Sequence, residues 1–134
     1  MKSVSKWEKG LQSVVDNGRG HSIVIDLPDS SGGTDRGATA LELAVMGFAG
    51  CVTTIFAMIA QKMRLEFSTL EVELEAEKPQ GASTVTAVEY IVRIESEETR
   101  DKIEKCLDLT IESCPVGILF KQAGIKISKE LILL

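Results

Sequence analysis

TALELAVMGFAGCVTTIFAMIAQKM, residues 39–63, predicts one helix of about 25 residues in a chain of only 134. At about 1.5 Å per residue, such a helix is roughly 37 Å long. Thr39 and Glu42 have the spacing of a capping box, and Lys62 suits the negative end of the helix dipole. So long a helix needs more cover than one small sheet can provide, which makes it the element around which the fold is built.

Residues 43–60 of this helix carry no charge, and about eighteen apolar residues is the lower limit for a membrane span. Gly47, Gly50, Thr53 and Thr54 nevertheless make the run only mildly apolar. The rest of the chain is patterned for water-facing sheets and helices. We therefore expect a helix buried in a soluble core, or shared with a partner subunit, and no membrane association.

Strand patterns flank the long helix on both sides. Three short strands are predicted within residues 2–28, with a glycine-rich turn that presents Arg19 at its tip. A polar loop that carries Arg36 leads from the third strand into the helix. Beyond the helix, LEVELEAE (70–77) alternates between apolar and acidic residues and is followed by a second strand, STVTAVEYIVRIE (83–95). These two strands predict a β-hairpin.

The last third of the chain predicts two helices and a final strand. A helix starts near Ser96 and ends at Cys114, because Pro115 interrupts it, and a shorter helix closes at Gly124. The tail, residues 125–134, alternates as a strand does. The predicted fold is therefore α+β, with the order βββ, long α, ββ, α, α, β, in a single domain that covers residues 1–134.

Composition excludes several classes of function. A net charge of −5 and an aromatic content of 4% provide neither the basic surface nor the stacking platforms of a nucleic-acid-binding protein. The N-terminal residues MKSVSKWEKG lack the apolar segment of a secretory signal, so a cytoplasmic location is expected. No CxxC pair occurs and His21 is the only histidine, so we expect no metal site.

Three cysteines, an odd number, argue against a framework of structural disulfides. Cys106 lies on the apolar stripe of the second helix and is expected to be an inert core residue. Cys51 and Cys114 have less ordinary positions, although each is also explained as a small buried residue. Cys51 lies in the middle of the long helix, and Cys114 immediately precedes a proline at a junction between two helices.

Position alone ranks Cys114 as the more reactive thiol. If Pro115 begins the next helix, the N–H groups and the dipole at the start of that helix favour a thiolate at Cys114. Cys51 receives no such help from its own helix. It needs a cation from elsewhere in the protein, and the available cations are the two loop arginines, Arg19 and Arg36.

Two motifs together resemble the OsmC/Ohr family of osmotically inducible and organic hydroperoxide resistance proteins. The motifs are RGATALELAVMGFAGC (36–51) and SCPVGILFKQAGIKI (113–127), which place Cys114 63 positions after Cys51. The order of elements is also similar to that of the family, so the resemblance covers essentially the whole chain. It is closest to the broad OsmC-like branch.

The resemblance implies an intertwined homodimer, in which two long central helices pack against antiparallel sheets and the active sites lie at the subunit interface. It further implies a hydroperoxide reductase that acts in oxidative stress defence, with Cys51 as the peroxidatic thiolate and Cys114 as the resolving cysteine. An external dithiol would reduce their disulfide, and no metal or organic cofactor is required. In the family, an arginine and a glutamate orient and activate the first sulfur.

Three departures from the peroxidase pattern bear on this transfer. The acidic residue of the pattern lies ten positions before the first cysteine, where this chain has Leu41, and Glu42 is one position nearer. One residue rotates a helical side chain by about 100°, so Glu42 is a candidate catalytic residue and equally a capping residue. The activating arginine is either Arg19, which the turn position slightly favours, or Arg36. Gly117 occupies a position where many members carry serine.

Three hypotheses follow. The first is a thiol-dependent hydroperoxide reductase that uses Cys51 and Cys114. The second is a non-catalytic OsmC-like dimer that binds a small apolar or thiol ligand at the subunit interface. The third is a purely structural dimer with buried cysteines.

Overall fold

The computed structural model describes residues 1–134 and has the predicted α+β architecture. Its strands are β1 (Val4–Lys9), β2 (Gln12–Asp16), β3 (Ser22–Ile25), β4 (Thr69–Glu77), β5 (Ala87–Glu95) and β6 (Lys126–Leu133), and its helices are α1 (Ala40–Met63), α2 (Arg100–Ser113) and α3 (Pro115–Gln122). The order of these elements is the predicted one, so the fold class is confirmed. The chain divides into two compact units, Met1–Ala44 and Val45–Leu134.

The first unit contains an antiparallel sheet of three strands in the order β1-β2-β3. The turn between β2 and β3 is held by the side chains of Asp16 and Asn17, which accept hydrogen bonds from the backbone N–H groups of Gly18 and Arg19 at 2.6 and 2.9 Å. Few side chains of this sheet are covered within the unit. Trp7, for example, is 73% exposed and Ile23 is 48% exposed. The sheet therefore leaves apolar surface without cover from its own unit.

Strand β3 ends at Ile25, earlier than the sequence pattern predicted. The next residue, Asp26, does not continue the strand, because its carboxylate binds backbone N–H groups of the loop that follows. The carboxylate of Asp26 is almost fully buried and accepts hydrogen bonds from the backbone N–H groups of Leu27 (2.8 Å), Thr34 (3.1 Å) and Arg36 (3.2 Å), from the Thr34 hydroxyl (2.8 Å) and from the Gln12 side-chain amide (3.3 Å). Burial by itself raises the pKa of Asp26, but these hydrogen bonds outweigh it and lower the pKa to about 2.

The same loop lies so close to β3 that it leaves no space for one side chain. A Cβ atom on Gly37 would lie 2.2 Å from the carbonyl oxygen of Val24 in β3, well inside contact distance. The buried carboxylate and this close approach together fold residues 27–38 back along the end of β3, so that the backbone of Arg36 is fixed.

Replacing Asp26 is expected to make the stability of the protein depend differently on pH. The folded-state pKa is lowered from an ordinary value of 3.8 to about 2, so the carboxylate stabilises the fold above about pH 4. That contribution is lost as the pH falls through about 2. Asp26→Asn should therefore be less stable than the wild type at pH 6, and the difference should narrow as the pH falls toward 2.

Urea unfolding at a series of pH values measures this difference. Asp29→Asn, which changes an exposed carboxylate three residues along the chain, is the matched control and should follow the wild type. A stability difference for Asp26→Asn that stays constant between pH 6 and pH 2 would contradict the assignment.

In the second unit, α1 and α2 pack on a sheet with the order β4-β5-β6. Strands β4 and β5 form the predicted antiparallel hairpin, and β6 runs parallel to β5. The expectation of purely antiparallel sheets is therefore wrong for this sheet, because the crossover through α2 and α3 returns the chain to the end of the sheet where β5 begins. The buried core joins residues of α1, β5 and α2: Phe56, Ala60, Tyr90, Val92, Ile94, Ile103, Cys106 and Leu107, together with Leu65. The apolar stripe predicted for α2 is confirmed.

Helix α1 buries one side and exposes the other. Phe48, Val52, Phe56 and Ala60, spaced four residues apart, are buried. Met46 and Met58 are 58% and 49% exposed. By length and composition alone α1 is also apolar enough to cross a membrane, a weak test that core helices of soluble proteins pass too. The chain itself buries 22% of the apolar window of this helix. Within its own chain the helix is buried on one side only, and the alternative in which α1 is shared with a partner subunit stays a prediction.

Candidate functional site

Cys51 on α1 and Cys114 between α2 and α3 bring their sulfur atoms together, with the two Sγ atoms 2.7 Å apart. Both thiols are free. Cys51 is half-buried and Cys114 is completely buried. Two sulfurs at this distance need only a small displacement to form a bond of about 2.05 Å. The 63 residues between these cysteines in the chain make their proximity a consequence of the tertiary fold.

Cys114 caps the N-terminus of α3, as the proline after it predicted. Its Sγ accepts a hydrogen bond from the backbone N–H of Gly117 at 3.3 Å, and Pro115 occupies the first position of the helix. Burial is nevertheless the largest influence: with the neighbouring Cys51 thiol, it raises the pKa of Cys114 to about 11, while the N–H groups of Gly117 and Val116 lower it in part. The prediction that the helix terminus would give Cys114 more thiolate character is thus wrong in its net direction.

Phe48 and Gly117 pack against each other beside the cysteine pair. A Cβ atom on Gly117 would lie 2.9 Å from Cε2 of Phe48 and 3.6 Å from Cβ of Cys114. The Phe48 ring also packs against the ring of Phe120 in a tilted arrangement, with the ring centroids 4.9 Å apart. Glycine at position 117 therefore lets α3 approach the Phe48 ring of α1 closely.

Gly117→Ala is expected to destabilise the protein by about 1–3 kcal/mol, because the added methyl group overlaps the Phe48 ring. Phe48→Leu should itself be destabilising, yet in the Gly117→Ala background it should cost less, since the smaller side chain relieves the overlap. Chemical denaturation of the two single variants and the double variant measures this coupling. Strictly additive changes would show that the two residues do not compete for the same space.

Cys106 is separate from the cysteine pair. It is fully buried in the core between α1 and α2, where its thiol donates a hydrogen bond to the Phe56 carbonyl oxygen at 3.8 Å. Burial raises the pKa of Cys106 to about 11, since a thiolate there would lose its hydration. These surroundings are those of the inert core thiol that the sequence predicted.

The two candidate arginines lie in the first unit. Arg19 is exposed at the tip of the turn between β2 and β3, as predicted. Arg36 is also exposed, but its backbone N–H is anchored to the buried Asp26 carboxylate. Neither guanidinium group forms an ion pair within the chain. The choice between them as the activating arginine stays a prediction.

Glu42 forms the predicted capping box with Thr39 at the start of α1. The backbone N–H of Thr39 donates to Oε2 of Glu42 at 2.7 Å, and the N–H of Glu42 donates to the Thr39 hydroxyl at 3.2 Å. The hydrogen bonds from Thr39, that of its backbone first, lower the pKa of Glu42. The capping half of the expectation is confirmed, and a catalytic role for Glu42 stays a prediction.

Sequence reasoning did not single out Phe48 as part of this site. The available signal was its helical spacing, since Phe48 lies three residues before Cys51 and therefore on a neighbouring part of the same helix surface. No group of three or more His, Cys, Asp or Glu side chains lies close enough together to hold a metal ion. The chemistry that this arrangement can support is that of a thiol pair.

Comparisons with known proteins agree with the sequence motifs. Residues 33–130 match the family model of the OsmC-like proteins. An OsmC-like protein from Mycoplasma pneumoniae is 14% identical, with a TM-score of 0.88 over 99% of this chain and 96% of the other. An organic hydroperoxide resistance protein OsmC from Legionella pneumophila, also described as a predicted redox protein and regulator of sulfide bond formation, is 14% identical, with a TM-score of 0.74 over 98% and 97%.

An organic hydroperoxide resistance protein from Elizabethkingia anophelis is 13% identical, with a TM-score of 0.75 over 98% of this chain and 94% of the other. A search of curated proteins finds no significant match. At these identities the solved structures establish a common fold over nearly the whole chain.

Proposed function

The chain belongs to the OsmC-like protein family, and we propose that within it this protein is a thiol-dependent hydroperoxide reductase. The observation that carries the proposal is the 2.7 Å separation of the Cys51 and Cys114 sulfurs. Two free thiols at this distance can be oxidised to a disulfide without rearrangement of the fold. The names of the neighbours from Legionella pneumophila and Elizabethkingia anophelis, which refer to organic hydroperoxide resistance, support the same chemistry.

The proposed cycle has three steps. The Cys51 thiolate attacks one oxygen of a hydroperoxide and breaks the O–O bond, which yields a Cys51 sulfenic acid and, after protonation, an alcohol or water. The Cys114 thiol then attacks the sulfenic sulfur, forms the Cys51–Cys114 disulfide and releases water. An external dithiol reduces this disulfide to two thiols and is itself oxidised to a disulfide. No metal or organic cofactor enters the cycle.

The different burial of the two cysteines suits this division of roles. Cys51 is half-buried and is the member of the pair to which we assign contact with the peroxide, whereas Cys114 is completely buried. A resolving thiol needs contact only with the sulfenic sulfur and no access of its own to solvent. We place the reaction in the cytoplasm, in defence against oxidative stress.

We further propose that the protein acts as an intertwined homodimer. Both units expose apolar side chains: Trp7 and Ile23 in the first, and Met46 and Met58 of α1 in the second. A long helix with one buried stripe and an apolar opposite side is suited to packing against a second copy of itself. In such a dimer, Arg19 or Arg36 would supply the cation that Cys51 needs, and Glu42 is the candidate for orienting that arginine.

Removal of the Cys51 thiol is expected to abolish turnover. With cumene hydroperoxide or hydrogen peroxide and a dithiol reductant, Cys51→Ser should lower the rate at least about a hundredfold, because the nucleophile is lost. Cys114→Ser should still react once and accumulate a sulfenic acid at Cys51, which dimedone labelling and mass spectrometry detect. Cys106→Ser is the matched control and should retain the wild-type rate. Equal turnover by wild type and Cys51→Ser would reject the peroxidase.

A second candidate function is a non-catalytic dimer that binds a small apolar or thiol ligand at its interface. One observation favours it: the Glu42 carboxylate, which peroxidase chemistry would use to orient an arginine, is occupied by the Thr39 backbone. In a binding module Cys51 needs no activation, so its thiol should be alkylated slowly at neutral pH. The enzyme, in contrast, requires a reactive Cys51.

The rate at which iodoacetamide alkylates Cys51 near pH 7 separates the two functions. For the reductase, we expect rapid modification at Cys51 alone, and a rate at least about tenfold lower when the activating arginine is changed to alanine. Arg19→Ala and Arg36→Ala serve as matched controls for each other, because the proposal requires only one of the two. Slow alkylation of the wild type, unchanged in both variants, would favour the binding module.

A further inference from the structure

The second unit contains a cavity of about 560 Å³ that neither sulfur of the cysteine pair lines. It lies between α2 and α3 on one side and β5 and β6 on the other. Its lining comprises Phe48, Tyr90, Asp108, Ile111, Glu112, Gly117, Ile118, Lys121, Ile125, Ile127, Ser128 and Lys129. The volume falls within the range of small-molecule sites, about 300–1,000 Å³. The proposed peroxidase cycle assigns no role to this cavity.

The walls of the cavity are mainly apolar. Four isoleucines and a phenylalanine contribute to them: Phe48, Ile111, Ile118, Ile125 and Ile127. Such walls favour a ligand with an apolar body, because its transfer from water is favourable by roughly 25 cal/mol per Å² of buried apolar area.

Tyr90 contributes a buried, uncharged polar group to the cavity. Tyr90 is only 1% exposed, and its hydroxyl makes no hydrogen bond within the chain. Every fully buried side-chain nitrogen or oxygen of the protein has a hydrogen-bond partner, so this hydroxyl is not fully buried. The hydroxyl must therefore open into the cavity. Burial, together with the nearby Asp108 and Cys114, raises the pKa of Tyr90, so the group is a neutral hydroxyl at physiological pH.

The charged residues that line the cavity balance each other. Lys129 on β6 forms an ion pair with Asp108 on α2. Glu112 and Lys121 contribute one charge of each sign, and neither takes part in an ion pair. The four groups therefore sum to zero. A ligand that carries a net charge would lose hydration on entering the apolar space without meeting an excess of opposite charge.

We propose that this cavity is a binding site for an uncharged amphiphile, with an apolar body against the isoleucines and one hydroxyl or carbonyl oxygen hydrogen-bonded to Tyr90. Medium-chain alcohols and ketones belong to this class. The site is an addition to the cysteine pair and does not depend on peroxidase activity.

The occupant would contact two residues that also hold the cysteine pair. Phe48 and Gly117 line the cavity, and the Gly117 N–H donates to Sγ of Cys114. The ring of Phe48 packs against Gly117 on one side and lies 6.4 Å from the ring of Tyr90, centroid to centroid. The wall between the cavity and the thiols is therefore one residue thick at this point.

Binding of 1-octanol, observed by NMR of isoleucine methyl groups, tests the proposal on the full-length protein. We expect saturable shifts at the lining isoleucines, Ile111, Ile118, Ile125 and Ile127, and unchanged signals at Ile23 in the first unit. Octanoate and octylammonium have the same chain with a charged head, and both should bind at least about tenfold more weakly. The absence of saturable shifts up to the solubility limit of octanol would overturn the site. Equal or tighter binding of either charged probe would overturn the ligand class.

Two sets of variants locate the octanol. Tyr90→Phe removes only the hydroxyl and should weaken binding about three- to tenfold, the effect of one hydrogen bond. Ile118→Asp puts a charge in the cavity wall and should weaken octanol binding at least about tenfold, whereas Leu119→Asp, at the adjacent exposed position outside the lining, should not. Unchanged binding by Tyr90→Phe, or equal losses in the two aspartate variants, would contradict the assignment. Methyl spectra of each variant without ligand report whether its fold is intact.

Discussion

The contact between Phe48 on α1 and Gly117 on α3 is the constraint on which the functional part of the structure depends. The aromatic ring lies where a side chain at position 117 would be, so the N-terminal turn of α3 packs directly on the Phe48 ring of α1. Cys114 begins that turn, and Cys51 lies three residues after Phe48 on α1. The 2.7 Å distance between their sulfurs thus depends on a steric match between one large residue and one residue without a side chain. A pair of such residues can position a thiol pair with no disulfide in place.

Local signals were sufficient to predict the elements but not the contacts between them. The capping box of Thr39 and Glu42 and the charge of Lys62 gave both ends of α1, because each of these effects acts within one turn of helix. The end of β3 was predicted too late, since the five hydrogen bonds to Asp26 come from residues up to fourteen positions away. Alternation along a strand contains no information about such partners.

In the candidate site, too, the local feature was predicted from the sequence and the effect of distant residues was not. The helix N-terminus at Cys114 was predicted from Pro115 alone, and the N–H of Gly117 does point at the sulfur. The burial of Cys114 could not be predicted from the sequence, because it depends on residues of α1 and β5 that are distant from Cys114 in the chain. Burial proved the stronger of the two effects and raises the pKa of Cys114 to about 11. Only the family resemblance, which identifies the roles of matching cysteines, ranked Cys51 above Cys114.

The different burial of Cys51 and Cys114 also bears on which sulfur is attacked when the disulfide of the proposed cycle is reduced. Thiol–disulfide exchange requires an external thiolate to reach one sulfur in line with the bond, and the other sulfur leaves as a thiolate. Cys51 is half-buried and Cys114 is completely buried, so an external dithiol is expected to attack the Cys51 sulfur. The leaving group is then Cys114, whose developing negative charge faces the N–H groups of Gly117 and Val116 at the start of α3. These hydrogen bonds are too weak to keep Cys114 ionised in the resting protein. They nevertheless lower the barrier to reduction of the disulfide, because they stabilise the negative charge that develops on the Cys114 sulfur as it leaves.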